Sequence, residues 1–453
     1  MTAAHDRQEG RTLVLGLGRS GLSVCRYLRR LGAAVEVADS RDQPPFGDTL
    51  AAELPEVPQL AGGIPVRLPD GVAQLVVSPG LRSDLPLILA AREAGVEVIG
   101  DIELFARAAD APVVAITGSN GKSTVVTLLA LMIEYSGRKA HTGGNLGTPA
   151  LDLLAGEVPD LYLLELSSFQ LEMTYSLHLE VAAVLNLSAD HIDRHGDVER
   201  YAAAKARILQ SCHGAVLNRD DERVAVLRVD EARVITFGAD APHDDSEFGI
   251  AEVGGQRWLM QGRARLMPTS ELRIVGQHNE LNVLAALAMA HLLKLPLATS
   301  LDAARAFVGL PHRTEWVAEA DDIAWYNDSK ATNVGAAAAA IAGMDRPLVL
   351  IAGGDAKGAD LSLLRATCAG RLRAAVLLGR DADAIAAVLD GVAPVRRVPG
   401  MQEAVAAALA LAQPGDAVLL SPACASTDMF TDYTERGRVF TDAVMAALRE
   451  ARA

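Results

Sequence analysis

The chain has 453 residues, half of them hydrophobic but only 4% aromatic, so aliphatic side chains and alanine must build its interior. At about 150 residues per domain, that length suggests roughly three domains, and the aliphatic bias suits parallel sheets covered by helices. With 57 acidic against 42 basic residues and a formal charge of −15, the chain lacks the footprint of a nucleic-acid-binding surface and reads as acting on small molecules. Its four cysteines, Cys25, Cys212, Cys368 and Cys424, form no CxxC pair. That argues against a disulfide framework or a structural zinc site and fits a reducing cytosol. The polar start, MTAAHDRQEGR, has no signal-peptide core, and no apolar run approaches the roughly 20 residues that span a bilayer. The expectation is a cytoplasmic protein with no membrane partner.

The first elements are a strand, TLVLGLG, and an amphipathic helix within GLGRSGLSVCRYLRRLG. Gly16, Gly18 and Gly21 form G-x-G-x-x-G between them. A second strand, AAVEVADS, ends in Asp39 and Ser40, near the separation expected for a ribose contact. A dinucleotide is the obvious ligand, although any nucleotide diphosphate could sit on the helix N-terminus. A tight turn with no ligand also accounts for the glycines. The next strand, LVVSPGL, ends at a loop containing Gly80.

After Pro112, PVVAITGSNGKST repeats the order of strand, glycine loop and helix. The usual phosphate loop has four residues between its glycines; here only Ser119 and Asn120 separate Gly118 from Gly121. The chemical groups survive the shortening. The glycines let amides turn toward an anion, Lys122 can reach a β- or γ-phosphate, and Ser123 and Thr124 offer hydroxyls, one of them to Mg²⁺. A glycine turn with an exposed lysine is the plainer reading. LYLLELSSFQLE places Glu165 at the end of an apolar strand, where an unpaired carboxylate is costly. A metal bridging to ATP or a structural hydrogen bond would each compensate it. DHIDRH sets His191 and His195 four apart, but Ile192 follows where a zinc protease needs glutamate. A strand ARVITFG leads into a variable stretch to about Arg273, and GQHNELNVLAALAMAHLL begins an alanine-rich helix. The last segment offers strands IAWYNDS, PLVLIAGG, RAAVLLG and DAVLLSPA with alanine-rich helices between them.

The ordered set GSNGKST, GGNLGTPALDLL, LELSSFQLE, DHIDRH, AAKARI, HNELNVLAA, GLPHRTEWV, YNDSKATN, GGDAKGAD and LLSPACASTDMF runs over nearly the whole length. In this order it resembles the Mur ligases of peptidoglycan synthesis, and most closely their glutamate-adding branch. The resemblance implies an α/β fold of three domains: a Rossmann-like UDP-binding domain at 1–103, a central P-loop-type ATP-binding domain with a mostly parallel sheet at 104–309, and a Rossmann-like amino-acid-binding domain at 310–453. It also implies ligation of glutamate to UDP-N-acetylmuramoyl-L-alanine, with ATP phosphorylating the substrate carboxylate.

Under that resemblance, Gly118, Ser119, Asn120, Gly121, Lys122, Ser123 and Thr124 bind ATP, joined by Asn279 and Asn282 near adenine and by Arg313 and Asp328. Ser123 and Glu165 hold one Mg²⁺, and His191 helps place a second. Lys205 resembles a lysine carbamylated by CO₂ that becomes a metal ligand; composition alone reads it as an exposed helix lysine. Lys330, Thr332, Lys357, Ser426 and Tyr433 surround the incoming amino acid and reacting centre, and His312 adjoins the hinge. Gly18, Arg19, Ser20, Asp39, Ser40, Gly80 and Asn145 hold the UDP-sugar. Thr427 and Tyr433 stand where relatives often have leucine and phenylalanine, which leaves L-glutamate as the alternative to D-glutamate. A monomer is expected. The rival class is an NAD-dependent oxidoreductase, which G-x-G-x-x-G alone would suggest.

Overall fold

Short aliphatic runs ending in glycine turns become parallel strands, because a strand covered on both faces needs no polar alternation. The computed structural model describes residues 10–450 apart from 146, 189 and 230, so the polar amino-terminal stretch lies outside the described residues. The chain divides into two compact units. The first comprises the chain up to Leu187 with His191–Thr236 and Ala285–Ser300; the second comprises Phe237–Leu284 and the chain from Leu301 on, with Ser188 and Asp190.

In the first unit, β1 (Arg11–Leu15), β2 (Val35–Ala38), β3 (Gln59–Leu60), β4 (Val72–Val77) and β5 (Glu97–Ile99) form a parallel sheet in the order β3-β2-β1-β4-β5. A second parallel sheet is built from β6 (Val113–Thr117), β7 (Ala140–Gly144), β8 (Leu161–Glu165), β9 (Leu179–Val184) and β10 (Cys212–Asn218), in the order β10-β9-β6-β8-β7. The strand β11 (Arg233–Phe237) lies beyond β10. β6 and β8 are buried at every position. The two sheets share one apolar core, in which Leu22 and Tyr27 of the first helix join Phe105, Tyr162 and Leu171. Phe105 meets Tyr162 edge-on at 5.2 Å between ring centroids.

In the second unit, the stretch that the sequence presents as merely variable is an antiparallel ribbon of β12 (Glu247–Val253), β13 (Gln256–Gln261) and β14 (Ala264–Pro268). Gly254 and Gly255, with φ of 63° and 77°, make its two-residue turn, and a Gly-Gly pair supplies the positive φ values that such hairpins require. The last sheet holds β15 (Glu315–Ala320), β16 (Ile323–Asn327), β17 (Leu348–Gly353), β18 (Leu372–Leu378), β19 (Val395–Arg397) and β20 (Ala417–Leu420), in the order β15-β16-β20-β17-β18-β19. It is parallel except for the antiparallel edge strand β15. Apolar clusters cover both of its faces. Among the described residues all four cysteines are free, and no helix is long and apolar enough to cross a membrane.

Two glycines of the first loop do different jobs. A Cβ on Gly21 would lie 2.0 Å from the Gly16 carbonyl oxygen, whereas one on Gly18 would meet nothing within 4 Å. Gly21→Ala should therefore lose roughly 1–3 kcal/mol through overpacking, while Gly18→Ala should unfold in urea at close to the wild-type midpoint.

Candidate active site

The first loop opens onto a cavity of about 570 Å³ lined by all seven residues assigned above to a UDP-sugar: Gly18, Arg19, Ser20, Asp39, Ser40, Gly80 and Asn145. Arg41, Ser78 and Gln170 also line it; sequence reasoning passed over them because a lone polar residue in a loop carries no spacing signal. Asp39 takes part with both oxygens engaged. Its Oδ2 accepts the Leu17 N–H at 2.6 Å, and Arg41 forks onto it, Nε to Oδ1 at 2.9 Å and Nη2 to Oδ2 at 2.6 Å. The guanidinium, aided by backbone N–H groups and opposed by burial, holds this carboxyl at about 2. Ser78 Oγ donates to the Gly16 carbonyl at 2.9 Å and ties β4 to the same turn.

The shortened loop leads into the helix Lys122–Tyr135, whose N-terminus has no side-chain cap and starts from Gly121 in the left-handed region at φ 83°. Not all the loop amides face outward. The Ser119 N–H donates to the Asn186 carbonyl at 2.9 Å and the Asn120 N–H to Asn186 Oδ1 at 2.7 Å. Lys122 Nζ folds back onto the carbonyls of Gly118 at 2.7 Å and Ser119 at 2.9 Å. Lys205 is 2% exposed rather than on the surface. Its Nζ donates to the same Gly118 carbonyl at 2.9 Å and to Thr117 Oγ1 at 3.2 Å, over the Tyr201 ring. Two ammonium groups thus converge on one carbonyl oxygen, an arrangement that favours an anion alongside. Ser119 Oγ pairs with Tyr201 Oη at 3.0 Å. Asn186 and Tyr201 were not anticipated. The polar end of LNLSADH was the available signal for Asn186, and the four-residue spacing to Lys205 was the one for Tyr201.

Glu165 is buried but not unpaired. Ser123 Oγ donates to its Oε2 at 2.7 Å and Asn145 Nδ2 to its Oε1 at 2.8 Å. A hydroxyl and a carboxylate side by side form an oxygen donor set suited to Mg²⁺, which needs few protein ligands. Thr124 is buried beside Ser123. The two histidines part company. His191 is exposed in a left-handed turn, with its ring 4.9 Å from that of Phe169. His195 is buried between Ser168 Oγ at 3.0 Å and Glu172 at 3.2 Å, and burial lowers its pKa.

In the second unit, Asn279 and Asn282 lie one turn apart on the helix Gln277–Leu292, and Asn282 Nδ2 donates to Asn279 Oδ1 at 3.2 Å. Asp328 follows β16. It accepts from the Thr314 N–H at 3.1 Å and from Ser421 Oγ at 2.8 Å. Its pKa rises to about 7, driven by burial against the opposing pull of these bonds and of Arg313. His312 and Thr314, which flank Arg313, both have positive φ, the kind of strain that ordered functional loops sustain. Lys330 Nζ sits 3.9 Å from the centroid of the Tyr433 ring, His312 packs against the same ring, and the Thr332 N–H donates to the Lys330 carbonyl. Lys357 is exposed, with its N–H on Asp355 Oδ1, and Asp355 bridges to Ala425 beside the buried Ser426. A residue sequence reasoning missed, Arg436, is 2% exposed and donates to Ser329 and to the carbonyls of Gly353 and Cys424. It pins the ends of β16, β17 and β20 together, and a charge inside an apolar helix face was its signal.

Glycine-lined turns at the carboxyl ends of parallel strands, with a lysine–serine helix start on one of them, define a nucleotide-binding α/β protein. Three family profiles extend that class along the chain: Mur ligase MurD-like, N-terminal domain, at residues 10–100; Mur ligase middle domain at 116–290; and Mur ligase, glutamate ligase domain, at 312–424. The chain belongs to the Mur ligase family. It is 50% identical over 439 residues to a UDP-N-acetylmuramoylalanine–D-glutamate ligase of Nitrosococcus oceani, covering 96% of this chain and 97% of the relative. A protein of the same name from Pseudomonas aeruginosa is 50% identical over 436 residues, covering 95% of this chain and 97% of the relative. Among solved structures, a UDP-N-acetylmuramate-alanine ligase from Thermotoga maritima superposes with a TM-score of 0.61 at 17% identity, covering 97% of this chain and 100% of that one. That likeness is one of fold.

Asp328 makes a pH signature measurable. Its folded-state pKa of about 7 lies above the roughly 3.9 of an unfolded chain. Its contribution to stability is therefore fully present below about pH 4 and is lost as pH rises through about 7. Asp328→Asn cannot titrate, so urea unfolding should show wild type losing on the order of 4 kcal/mol relative to the variant between about pH 4 and pH 8. A pH-independent difference would contradict the assignment.

Proposed function

We propose that this chain ligates D-glutamate to UDP-N-acetylmuramoyl-L-alanine at the expense of ATP, giving ADP and phosphate, as a cytoplasmic monomer in peptidoglycan precursor synthesis. The observation that carries the reading is 50% identity over nearly the full length to relatives named for D-glutamate ligation. The division into 1–103, 104–309 and 310–453 goes with it, for the sugar nucleotide, ATP and the amino acid respectively. An oxidoreductase would leave Lys122, Ser123 and Glu165 without a role.

The chemistry proceeds in two displacements. A substrate carboxylate oxygen attacks the γ-phosphorus of ATP, the bond to the β-phosphate oxygen breaks, and ADP leaves. The glutamate amine then attacks the acyl carbon, loses a proton and expels phosphate. Two anions must meet in the first step, so cations and amide dipoles dominate its catalysis. Lys122 would swing from the loop carbonyls to the transferring phosphoryl group, and the uncapped helix start would face the phosphates. Ser123 and Glu165 would hold one Mg²⁺, with His191 and a carbamylated Lys205 at a second. Bound there, the metal would neutralise charge building on the phosphoryl oxygens.

Asn279 and Asn282 would contact adenine, and Arg313 and Asp328 the rest of ATP. Lys330, Thr332, Lys357, Ser426 and Tyr433 would receive glutamate, whose two carboxylates suit lysines. L-glutamate is the alternative, because Thr427 and Tyr433 depart from the usual pattern around the amino acid.

The test is ADP release with UDP-N-acetylmuramoyl-L-alanine and either D- or L-glutamate. Activity with the D-isomer alone is expected; activity with the L-isomer alone overturns the stereochemistry, and ADP release that needs neither substrate overturns the reaction. Lys122→Ala should cut kcat by roughly 10²–10³, in line with losing a charge-stabilising group. For Lys205, CO₂ adds to the neutral amine with loss of a proton. A ¹³C carbamate signal should appear in wild type under labelled bicarbonate and vanish in Lys205→Ala together with activity.

A further inference from the structure

The end of β16 carries a buried amide that the scheme above does not use. Asn327 is 0% exposed and links separate parts of the second unit. Its Oδ1 accepts the Ser329 N–H at 3.2 Å, and its Nδ2 donates to the Gly437 carbonyl at 2.9 Å. A carbonyl can only accept and a backbone N–H can only donate, so the amide cannot be turned over. The same Nδ2 faces Nδ1 of His312 at 3.0 Å, with Thr441 Oγ1 also in reach at 3.1 Å. An amide nitrogen offers no acceptor, so Nδ1 must itself accept, and the ring proton sits on Nε2. The Glu315 carboxylate does not favour the opposite form. Its Oε2 lies 3.8 Å from Nδ1 and takes the His312 N–H instead, at 2.8 Å.

Two further features keep this ring in place at a cost. His312 has a φ of 63°, a left-handed conformation that a side chain disfavours. Gly437 lies inside the helix Tyr433–Glu450, where alanine would be the better helix former. A Cβ at Gly437 would overlap Nδ1 of His312 and lie 2.8 Å from its Cγ, so glycine is what lets the ring approach the helix. Stability alone favours neither choice. What the ring touches next is the proposed amino-acid site. It meets the Tyr433 ring edge to face, 6.4 Å between centroids, and Lys330 Nζ lies 3.9 Å from the centroid of that same ring. The His312 carbonyl takes the Lys330 N–H at 3.0 Å. Ser329, whose N–H is held by Asn327, donates its hydroxyl to the Tyr433 carbonyl at 2.8 Å. Asn327 therefore reaches Lys330 through its backbone, and Tyr433 through both ring and carbonyl.

We infer that Asn327 is a positioning residue for the incoming amino acid, holding His312 in its Nε2–H form against Gly437 so that Lys330 and Tyr433 are set before glutamate arrives. The inference rests on the assignment of Lys330 and Tyr433 to the glutamate site. Asp328, next in the chain, keeps its own partners in the Thr314 N–H and Ser421 Oγ, so the ATP contacts assigned to it do not run through the amide.

The experiment joins a spectroscopic readout to steady-state kinetics on the full chain, with thermal midpoints for each variant. Histidine is labelled with ¹⁵N, and the His312 signals are identified by their loss in His312→Gln. At about pH 8, where an ordinary imidazole is neutral, wild type should carry the His312 proton on Nε2, and Asn327→Ala should show both forms. KM for glutamate should rise about tenfold in Asn327→Ala and in Gly437→Ala, the range of lost positioning hydrogen bonds. Gly437→Ala displaces the ring while giving the helix a better former. In both variants kcat, and KM for ATP and for the sugar nucleotide, should stay within about twofold, because a pre-set site serves ground and transition state alike. A proton on Nδ1 in wild type overturns the inference. An unchanged KM for glutamate in both variants, with Lys330→Ala weakened, also overturns it and leaves the site assignment standing. Uniform loss of all kinetic constants with lowered midpoints in both variants assigns Asn327 a purely structural role and overturns it too. If Lys330→Ala keeps the wild-type KM for glutamate, the site assignment fails and the inference with it.

Discussion

Glu165 is the point at which the first unit's polar architecture is tied together. It ends a wholly buried strand, and a carboxylate there is tolerable only if its oxygens are occupied. The two groups that occupy them arrive by different routes: Ser123 on the helix after β6, and Asn145 on the turn after β7. The backbone reinforces the side chain, since the Asn145 N–H donates to the Glu165 carbonyl at 2.8 Å. A Cβ on Gly144 would lie 2.5 Å from that same oxygen, so only glycine lets the turn approach this closely. One acidic residue thus fixes the phosphate-type loop relative to a wall of the neighbouring cavity. Removing it would leave Ser123 and Asn145 each short of an acceptor.

The same placement recurs throughout the chain. Gly16, Asp39 and Ser78 follow β1, β2 and β4; Gly118, Asn145 and Asn186 follow β6, β7 and β9; Asp328, Gly354 and Ser421 follow β16, β17 and β20. Parallel strands deliver their polar ends to one edge of a sheet, where ligands gather. That geometry resolves the apparent conflict between a net charge of −15 and the polyanionic substrates of the proposed reaction. Positive potential is needed only locally, and the helix amides with Lys122 supply it without a basic surface.

Much of this was legible in the sequence, because strand, glycine turn and helix have local signatures. The two glycine loops, the apolar strands and the polar residues at their ends could all be read before any coordinates. What escaped was partner choice. Glu165 could be seen as a buried carboxylate, but its engagement by Asn145 depends on the pairing of β7 with β8. Asp39 has the spacing of a ribose contact, but nothing in that spacing shows that Arg41 also closes over both its oxygens. Lys205 looked like a surface lysine by composition, and its burial follows from the packing of the helix Val198–Ala206 beneath the loop. Arg436 is more instructive still. Its five donors serve three strand ends that are far apart in sequence, so no window along the chain contains the reason for it. The ribbon β12–β14 had a signal that was present and overlooked: the Gly-Gly pair between Val253 and Gln256.

The two departures from the usual family pattern near the carboxyl end are not equivalent in physical terms. Thr427 is exposed, so its side chain has room to move aside for more than one acceptor. Tyr433 is half-buried, with Lys330 Nζ 3.9 Å from the centroid of its ring, and the Tyr433 carbonyl takes the Ser329 hydroxyl. Its aromatic face therefore helps to set where the ammonium of Lys330 rests. A phenyl ring would offer a similar face, because the cation responds to the ring quadrupole more than to the distant hydroxyl. What tyrosine adds is a polar group at the ring's far edge, able to accept or donate one hydrogen bond. The exchange leaves the cation's seat intact and alters only the periphery. Any change in amino-acid preference that originates at Tyr433 must then come from what that hydroxyl meets.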